Sequence, residues 1–172
     1  MNPDMTFDGQ VLTWLGHGHF KATSGADRFQ WPEEQCRPMA GPLPQGFYQI
    51  SLLDEGVAHT VGSHACGLVA GSGIQKIPRG PVGNPCERPW MRWGANRVRL
   101  MAADPMTAHA CSTHRDNFYI HDSAKGYSHG CIEVEGTFFP MLRTYAHSAA
   151  KDHLVLQVKY VPGRKTNGGT KK

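Results

Sequence analysis

Short runs of β-branched, aromatic and aliphatic residues recur along the chain, separated by glycine, proline and polar residues. Such runs predict strands, at 11–15, 19–23, 47–53, 97–102, 117–121, 131–135 and 153–161. A helical period occurs once, after Gly136 and Thr137. Its apolar positions are Phe138, Met141, Leu142, Tyr145 and Ala149, with Pro140 tolerated in the first turn. The pattern predicts a mainly β fold, an antiparallel-rich sheet or sandwich with one principal helix near the C-terminus.

The chain has 172 residues, of which 40% are hydrophobic, enough for one domain with a sizeable core. We predict a single domain over 1–162. Residues 54–92 are rich in glycine and proline and show no regular period, which predicts an irregular insertion. This insertion is either a lid or wall over a substrate groove, or a surface loop without a functional role. Residues 163–172 are basic and rich in Gly, Thr and Asn, which predicts a disordered tail.

The strongest chemical signal is a histidine, His121, followed ten residues later by a cysteine in Ser128-His129-Gly130-Cys131. A free thiol is only roughly a few per cent thiolate at neutral pH, so a nucleophilic cysteine needs a neighbouring base. The loop between the two predicted strands folds His121 back beside Cys131. We predict Cys131 as the nucleophile and His121 as its base, although either residue alone would fit an inert structural role.

The residues around this pair suggest the rest of a catalytic site. Gly130 permits backbone conformations closed to other residues, so the amides of Gly130 and Cys131 are oxyanion-hole candidates. His129 either orients the active-site loop or has a purely structural role. Asp122, through its backbone or side chain, and the Ser128 hydroxyl are two candidates for orienting His121, and the sequence does not choose between them.

His121 together with the Ser128–Cys131 motif resembles the signature of the L,D-transpeptidases (YkuD-like domains), cysteine enzymes that remodel peptidoglycan stem peptides. Segments 6–25, 41–50 and 93–100 resemble further parts of that family in the same order. The resemblance covers most of 6–135. It implies a YkuD-like β-sandwich and a reaction without a cofactor. The catalytic residues would be Cys131, His121, His129 and Gly130, and the substrate-binding residues Ser128, Asp122, Tyr119 and Trp93.

Two departures from the commoner family pattern point to a subgroup. The loop between His121 and Cys131 is short, and Glu133 stands where a basic or amide residue is more usual. The chain is in these respects more similar to the L,D-transpeptidase-like toxins delivered between bacteria by type VI secretion. That resemblance implies L,D-carboxypeptidase and D-amino-acid exchange activity on the third stem-peptide residue.

Three other functions remain open from the sequence. One is a housekeeping periplasmic L,D-transpeptidase that forms cross-links. Another is a papain-like cysteine peptidase, but its cysteine normally begins a helix, whereas Cys131 precedes a predicted strand. The last is a noncatalytic wall-binding module. Such a module would be expected to have lost the His/Cys pair, whereas this chain contains both residues.

The N-terminal residues 1–8 contain acids where a signal peptide needs basic residues, and no apolar run follows. We therefore expect neither Sec export nor membrane insertion. The toxin resemblance implies delivery by secretion machinery, action in the periplasm of a target bacterium and a cognate immunity protein.

The other four cysteines are Cys36, Cys66, Cys86 and Cys111. They allow two disulfides in three connectivities, which would require an oxidising compartment, or they are reduced and buried. No zinc-motif spacing occurs around the His17-x-His19 and His64-x-Cys66 pairs, so we predict no metal site.

The formal net charge is +4. The basic residues are scattered and no nucleic-acid motif accompanies them, so we do not expect a nucleic-acid partner. A positive field favours an anionic substrate such as a carboxylate-bearing stem peptide. Arg92, Arg97 and Arg99 are candidates for its carboxylates, or belong to a solvated strand face.

Overall fold

The computed structural model describes residues 1–80 and 83–172 of the chain. Within these residues the strands are β1 Met5–Phe7, β2 Val11–Trp14, β3 Gly18–Ser24, β4 Gly46–Ser51, β5 Asp54–Val57, β6 Ile74–Lys76, β7 Asn96–Ala102, β8 Phe118–His121, β9 Ile132–Val134 and β10 His153–Val158. The helices are α1 Glu87–Met91, α2 Pro105–Ala108 and α3 Phe138–Ser148. The mainly β class with one principal helix is confirmed.

The strands form one sheet that closes on itself. Their order is β4-β10-β1-β2-β3-β9-β8-β7-β6-β5, and an additional pairing of β4 with β7 completes the ring. Two seven-residue strands, β3 and β7, belong to both layers of this sandwich. The first part of β3 pairs with β2 and its last part with β9. Most neighbours are antiparallel, but β1–β10, β5–β6 and β8–β9 run parallel.

Helix α3 covers the core formed by the two layers. Phe138 and Leu142 are fully buried, as the helical period predicts, and the Phe138 ring lies edge-on to Phe20 at 5.3 Å between centroids. Met141 is 36% exposed, and its predicted place in the core belongs to Phe139. Burial of each such side chain contributes about 1.5–3 kcal/mol to stability.

The expectation of a disordered tail over 163–172 is wrong. Thr166 is fully buried and donates to the Ser24 carbonyl at 2.6 Å. Gly168 donates to the Thr23 hydroxyl at 3.0 Å and passes so close to β3 that an added Cβ would lie 2.4 Å from the Ala22 carbonyl oxygen. The polar composition hides this order, because the segment is held by specific hydrogen bonds and close backbone packing rather than by apolar burial.

The segment 54–92 is only partly irregular. It contains β5, β6 and α1, and a disulfide joins Cys66 to Cys86. Trp90 of α1 is buried and donates its indole N–H to the Cys66 carbonyl at 2.9 Å. Residues 81 and 82 of the predicted insertion lie outside the described residues. Strand β6 escaped prediction because it has only three residues between loops.

The second disulfide joins Cys36 to Cys111, 75 residues apart. The structure therefore selects one of the three connectivities left open by the sequence. In the described part of the chain, no helix has the length and apolar character needed to cross a membrane.

Replacing each disulfide by a serine pair tests its contribution. In the chain-entropy description a cross-link stabilises more when it closes a longer loop. The Cys36→Ser/Cys111→Ser variant should lose about 4 kcal/mol of unfolding free energy and the Cys66→Ser/Cys86→Ser variant about 3 kcal/mol. Urea titration without reductant measures both. Unchanged midpoints for both variants would contradict the expectation.

Candidate active site

The parallel pair β8–β9 sets the positions of the two principal residues. Ile120 pairs with Ile132 and His121 with Glu133, which places Cys131 beside Tyr119. Because alternate strand residues share a face, Tyr119, His121, Cys131 and Glu133 lie on one face of the sheet. Ile120 and Ile132, on the other face, are fully buried in the core. His121 and Cys131 thus lie on adjacent strands, two residues apart in register, and line the same cavity.

Strand β7 adds arginines to this polar face. Arg97 pairs with His121 and is only 2% exposed. Its guanidinium lies over the rings of Trp93 and Tyr119, at 4.6 and 4.4 Å from their centroids. It donates to the Gln75 side chain at 2.8 Å. Arg97 is therefore neither a free carboxylate partner nor part of a solvated face, but a buried support beneath the site.

A serine that the sequence analysis did not single out orients His121. The Ser123 hydroxyl lies 2.9 Å from His121 Nδ1 and donates to Glu133 Oε2. A hydroxyl has one proton. Because Ser123 donates that proton in its hydrogen bond to Glu133, the Ser123 oxygen accepts from His121 Nδ1–H. His121 is then the Nδ1–H tautomer, and Nε2 keeps the lone pair that a base needs.

Glu133 is fully buried and accepts four hydrogen bonds. Besides Ser123, the donors are the N–H groups of Lys125 at 3.1 Å and Gly126 at 2.7 Å and the hydroxyl of Thr170 at 2.6 Å. A carboxylate only accepts, so this set of donors matches it. The departure from the commoner family pattern at Glu133 was the available signal for this arrangement.

The two residues predicted to orient His121 have other roles. The Asp122 carboxylate accepts from the N–H groups of Ala95 at 2.7 Å and Asn96 at 2.8 Å. The Ser128 hydroxyl is buried, donates to the Cys131 carbonyl and accepts from the Gly25 N–H. Both residues therefore fix the ends of the loop between His121 and Cys131. Neither is among the residues that line the cavity containing His121, so their predicted contact with substrate stays a prediction.

The other two predicted substrate-binding residues differ in position. Trp93 lines the cavity, and its ring meets that of His121 edge-on at 5.6 Å. Tyr119 is 3% exposed and lies beneath Arg97, while its hydroxyl accepts from Arg99 at 3.3 Å. Tyr119 therefore supports the site from below.

Gly130 has the conformation that the oxyanion-hole hypothesis needs. Its φ is +117°, and an added Cβ would lie 2.5 Å from Arg115 Nη2. Within the described residues, the N–H groups of Gly130 and Cys131 donate to no loop or side-chain acceptor. They are thus available to an oxyanion, while the Cys131 sulfur accepts from the Tyr119 N–H at 3.4 Å.

Two cavities meet at Cys131 and the exposed His129. The α1 cavity, about 560 Å³, is lined by Pro89, Arg92, Trp93, His121, Lys125, Tyr127, His129 and Cys131. The Met39 cavity, about 390 Å³, is lined by Pro38, Met39, residues 114–118, His129 and Cys131. His129 Nδ1 lies 3.0 Å from the Met39 carbonyl, so His129 joins its loop to the opposite wall. The nucleophile candidate is therefore accessible from two directions.

A comparison with protein families shows the family of the chain. The model of the Tlde1 domain matches residues 18–157, which include His121, Cys131 and Glu133. The chain belongs to the Tlde1 domain family. This is a family of type VI secretion effectors, so the predicted similarity to such effectors is confirmed at the level of the family. No curated protein matches the chain.

The match leaves part of this Tlde1 domain protein outside the family model. Residues 158–172, which include Thr166 and Thr170, follow the matched region. Thr170 nevertheless reaches the site through Glu133. Among the described residues, no three His, Cys, Asp or Glu side chains group as metal ligands.

The candidate pair Cys131 and His121 is uncharged at neutral pH. Burial raises the pKa of the Cys131 thiol to about 11, although the Tyr119 N–H and the positive charge of Lys125 act in the opposite direction. Burial lowers the pKa of His121 to about 3, and Lys125 and Arg97 act in the same direction. The free protein therefore holds a thiol and a neutral imidazole in one cavity, so nucleophilic attack by Cys131 would require transfer of the thiol proton.

Thiol alkylation tests this protonation state. Of the described cysteines, Cys131 alone is outside a disulfide, so iodoacetamide without reductant reports on it. With a pKa of about 11, the reaction at pH 7 should be on the order of 100-fold slower than that of an ordinary cysteine peptide, because less thiolate is present. The rate should rise with pH up to about 11, as followed by mass spectrometry. A plateau already reached near pH 7 would contradict the uncharged pair.

The tautomer of His121 is a separate prediction. ¹⁵N NMR of histidine-labelled protein, with the signal assigned through His121→Gln, should show a proton on Nδ1 and none on Nε2 from pH 8 down to about pH 4. Ser123→Ala removes the acceptor and should produce a mixture of tautomers, whereas Ser123→Thr keeps the hydroxyl and the single tautomer. A His121 signal that titrates near pH 6.5 in the unmodified protein would refute this assignment.

Proposed function

We propose that this Tlde1 domain protein is a peptidoglycan-modifying cysteine acyltransferase. It acts on the L-centre of the third stem-peptide residue, with L,D-carboxypeptidase and D-amino-acid exchange activity. The observation that carries the proposal is the Cys131–His121 pair, oriented through Ser123 and Glu133 and located where two cavities meet.

In the first half-reaction the Cys131 sulfur attacks the carbonyl carbon of the third residue while His121 Nε2 takes the thiol proton. The oxyanion accepts hydrogen bonds from the N–H groups of Gly130 and Cys131. The C–N bond to the terminal D-alanine then breaks, and His121 gives its proton to the leaving amine. The products are a thioester on Cys131 and free D-alanine.

The acceptor decides the second product. With water, His121 removes a proton as the oxygen attacks the thioester, and a tripeptide acid and the thiol are released. With a free D-amino acid, its amine attacks instead and a new tetrapeptide forms. Both reactions balance without a cofactor. The two cavities supply separate places for the acyl chain and for the leaving or entering group.

The setting follows from the family and the disulfides. Effectors of type VI secretion act in target cells, and two disulfides fit an oxidising compartment such as the periplasm. We therefore propose an antibacterial effector acting in the periplasm of the target bacterium. Its partners are peptidoglycan stem peptides, the secretion machinery and a cognate immunity protein.

Mass spectrometry of disaccharide tetrapeptide muropeptides tests the activity. Purified protein should remove the terminal D-alanine, and with excess D-methionine should replace it. Cys131→Ala should reduce both reactions to background, because no thioester can form. Matching melting temperatures would show that the variant is folded. Cross-linked dimers as the main product would indicate a transpeptidase instead, and unchanged muropeptides with folded protein would refute the proposal.

A further inference from the structure

The lining of the α1 cavity carries positive charge. Its lining includes Arg92 and Lys125, and no aspartate or glutamate is among the described lining residues. The Met39 cavity, in contrast, is lined by both a basic and an acidic residue, Arg115 and Asp116. The two sides of the nucleophile therefore differ in potential, and an anionic group is favoured on the side of α1.

Lys125 lines the same cavity as His121 and Cys131. It belongs to the short loop between His121 and Cys131, and its backbone N–H is fixed by Glu133. Its positive charge opposes protonation of His121 and favours the thiolate of Cys131 more than any other side-chain charge. The charge of Lys125 therefore acts on both candidate reacting groups, which line the same cavity.

The Lys125 ammonium has no anionic partner among the described residues. Its Nζ lies 4.8 Å from the centroid of the Tyr127 ring, and no ion pair or hydrogen bond of this nitrogen to a described acceptor is formed. Burial lowers the pKa of Lys125, and the negative charge of Glu133 acts against this. A partly desolvated ammonium beside a nucleophile gains most from a carboxylate ligand.

Two arginines near the site are less suitable than Lys125 for binding a carboxylate. Arg97 is buried and bound to the Gln75 side chain and the Val69 carbonyl. Arg92 is exposed at the edge of the cavity, where water screens its charge. Lys125 remains as the half-buried cation on the cavity wall.

We propose that Lys125 binds the terminal carboxylate of the D-amino acid that leaves when Cys131 is acylated. The inference rests on the proposed function and names the subsite for its leaving group. A D-amino acid that enters during exchange retraces this path in reverse, so its carboxylate binds at the same place. The carboxylate takes no part in the bond changes: the amide C–N bond breaks, the thioester forms, and the proton passes from Cys131 through His121 to the amine.

Matched acid and amide substrates test the proposal. The protein should cleave a muropeptide ending in a D-alanine carboxylate on the order of 10–100-fold more efficiently, in kcat/KM, than the one ending in the carboxamide. Lys125→Gln should remove this preference by lowering only the value for the acid, mainly through KM. Lys125→Arg should keep most of it. D-methionine and D-methioninamide as acceptors should give the same pattern.

A matched control is Arg88→Gln, which removes an exposed positive charge from α1 outside the cavity lining and should leave the preference unchanged. Binding of D-methionine to Cys131→Ala, followed by NMR, should weaken when Lys125→Gln is added. If Lys125→Gln lowers acid and amide equally in an active protein, the inference fails while the proposed function stands. If the unmodified protein cleaves neither substrate, the proposed function itself fails.

Discussion

The buried carboxylate of Glu133 is the interaction on which the site depends. An isolated charge without water is strongly unfavourable, so this group requires hydrogen bonds from its surroundings. Its donors come from three parts of the chain: the Ser123 hydroxyl, the backbone of residues 125 and 126, and Thr170 of the C-terminal segment. Satisfying one carboxylate therefore fixes the His121 ring, the loop that leads to Cys131 and the terminal segment at once.

The same arrangement explains why the reactive pair is neutral. The positive charges of Lys125 and Arg97 face His121, which is itself desolvated, so an imidazolium would be unfavourable there. A Cys131 thiolate would be desolvated as well, which keeps the thiol protonated. Neither partner is charged in the free protein, so in the proposed reaction the proton moves only as the sulfur attacks the substrate carbonyl. A cysteine with so little thiolate at neutral pH should react slowly with small electrophiles.

Much of the fold could be read from the sequence, because alternation and helical period report directly on burial. His121 and Cys131 could be paired from the sequence because His121 ends one strand and Cys131, ten residues later, immediately precedes the next. Ser123 could not be recognised, since its role depends on Glu133, which only the parallel register of β8 and β9 brings beside His121. The order of the C-terminal segment and the burial of Arg97 could not be predicted for a related reason. Their order arises from hydrogen bonds and stacking with residues distant in sequence, which composition and charge pattern do not record.

One disulfide lies beside each of the two cavities. Cys36–Cys111 lies next to the loop that presents Met39, and Cys66–Cys86 adjoins α1. Thiols stay reduced in the bacterial cytoplasm and oxidise in the periplasm. With these thiols reduced, as in a reducing compartment, the same segments would be held by noncovalent contacts alone. The covalent frame beside the two cavities therefore depends on the redox state of the protein's surroundings.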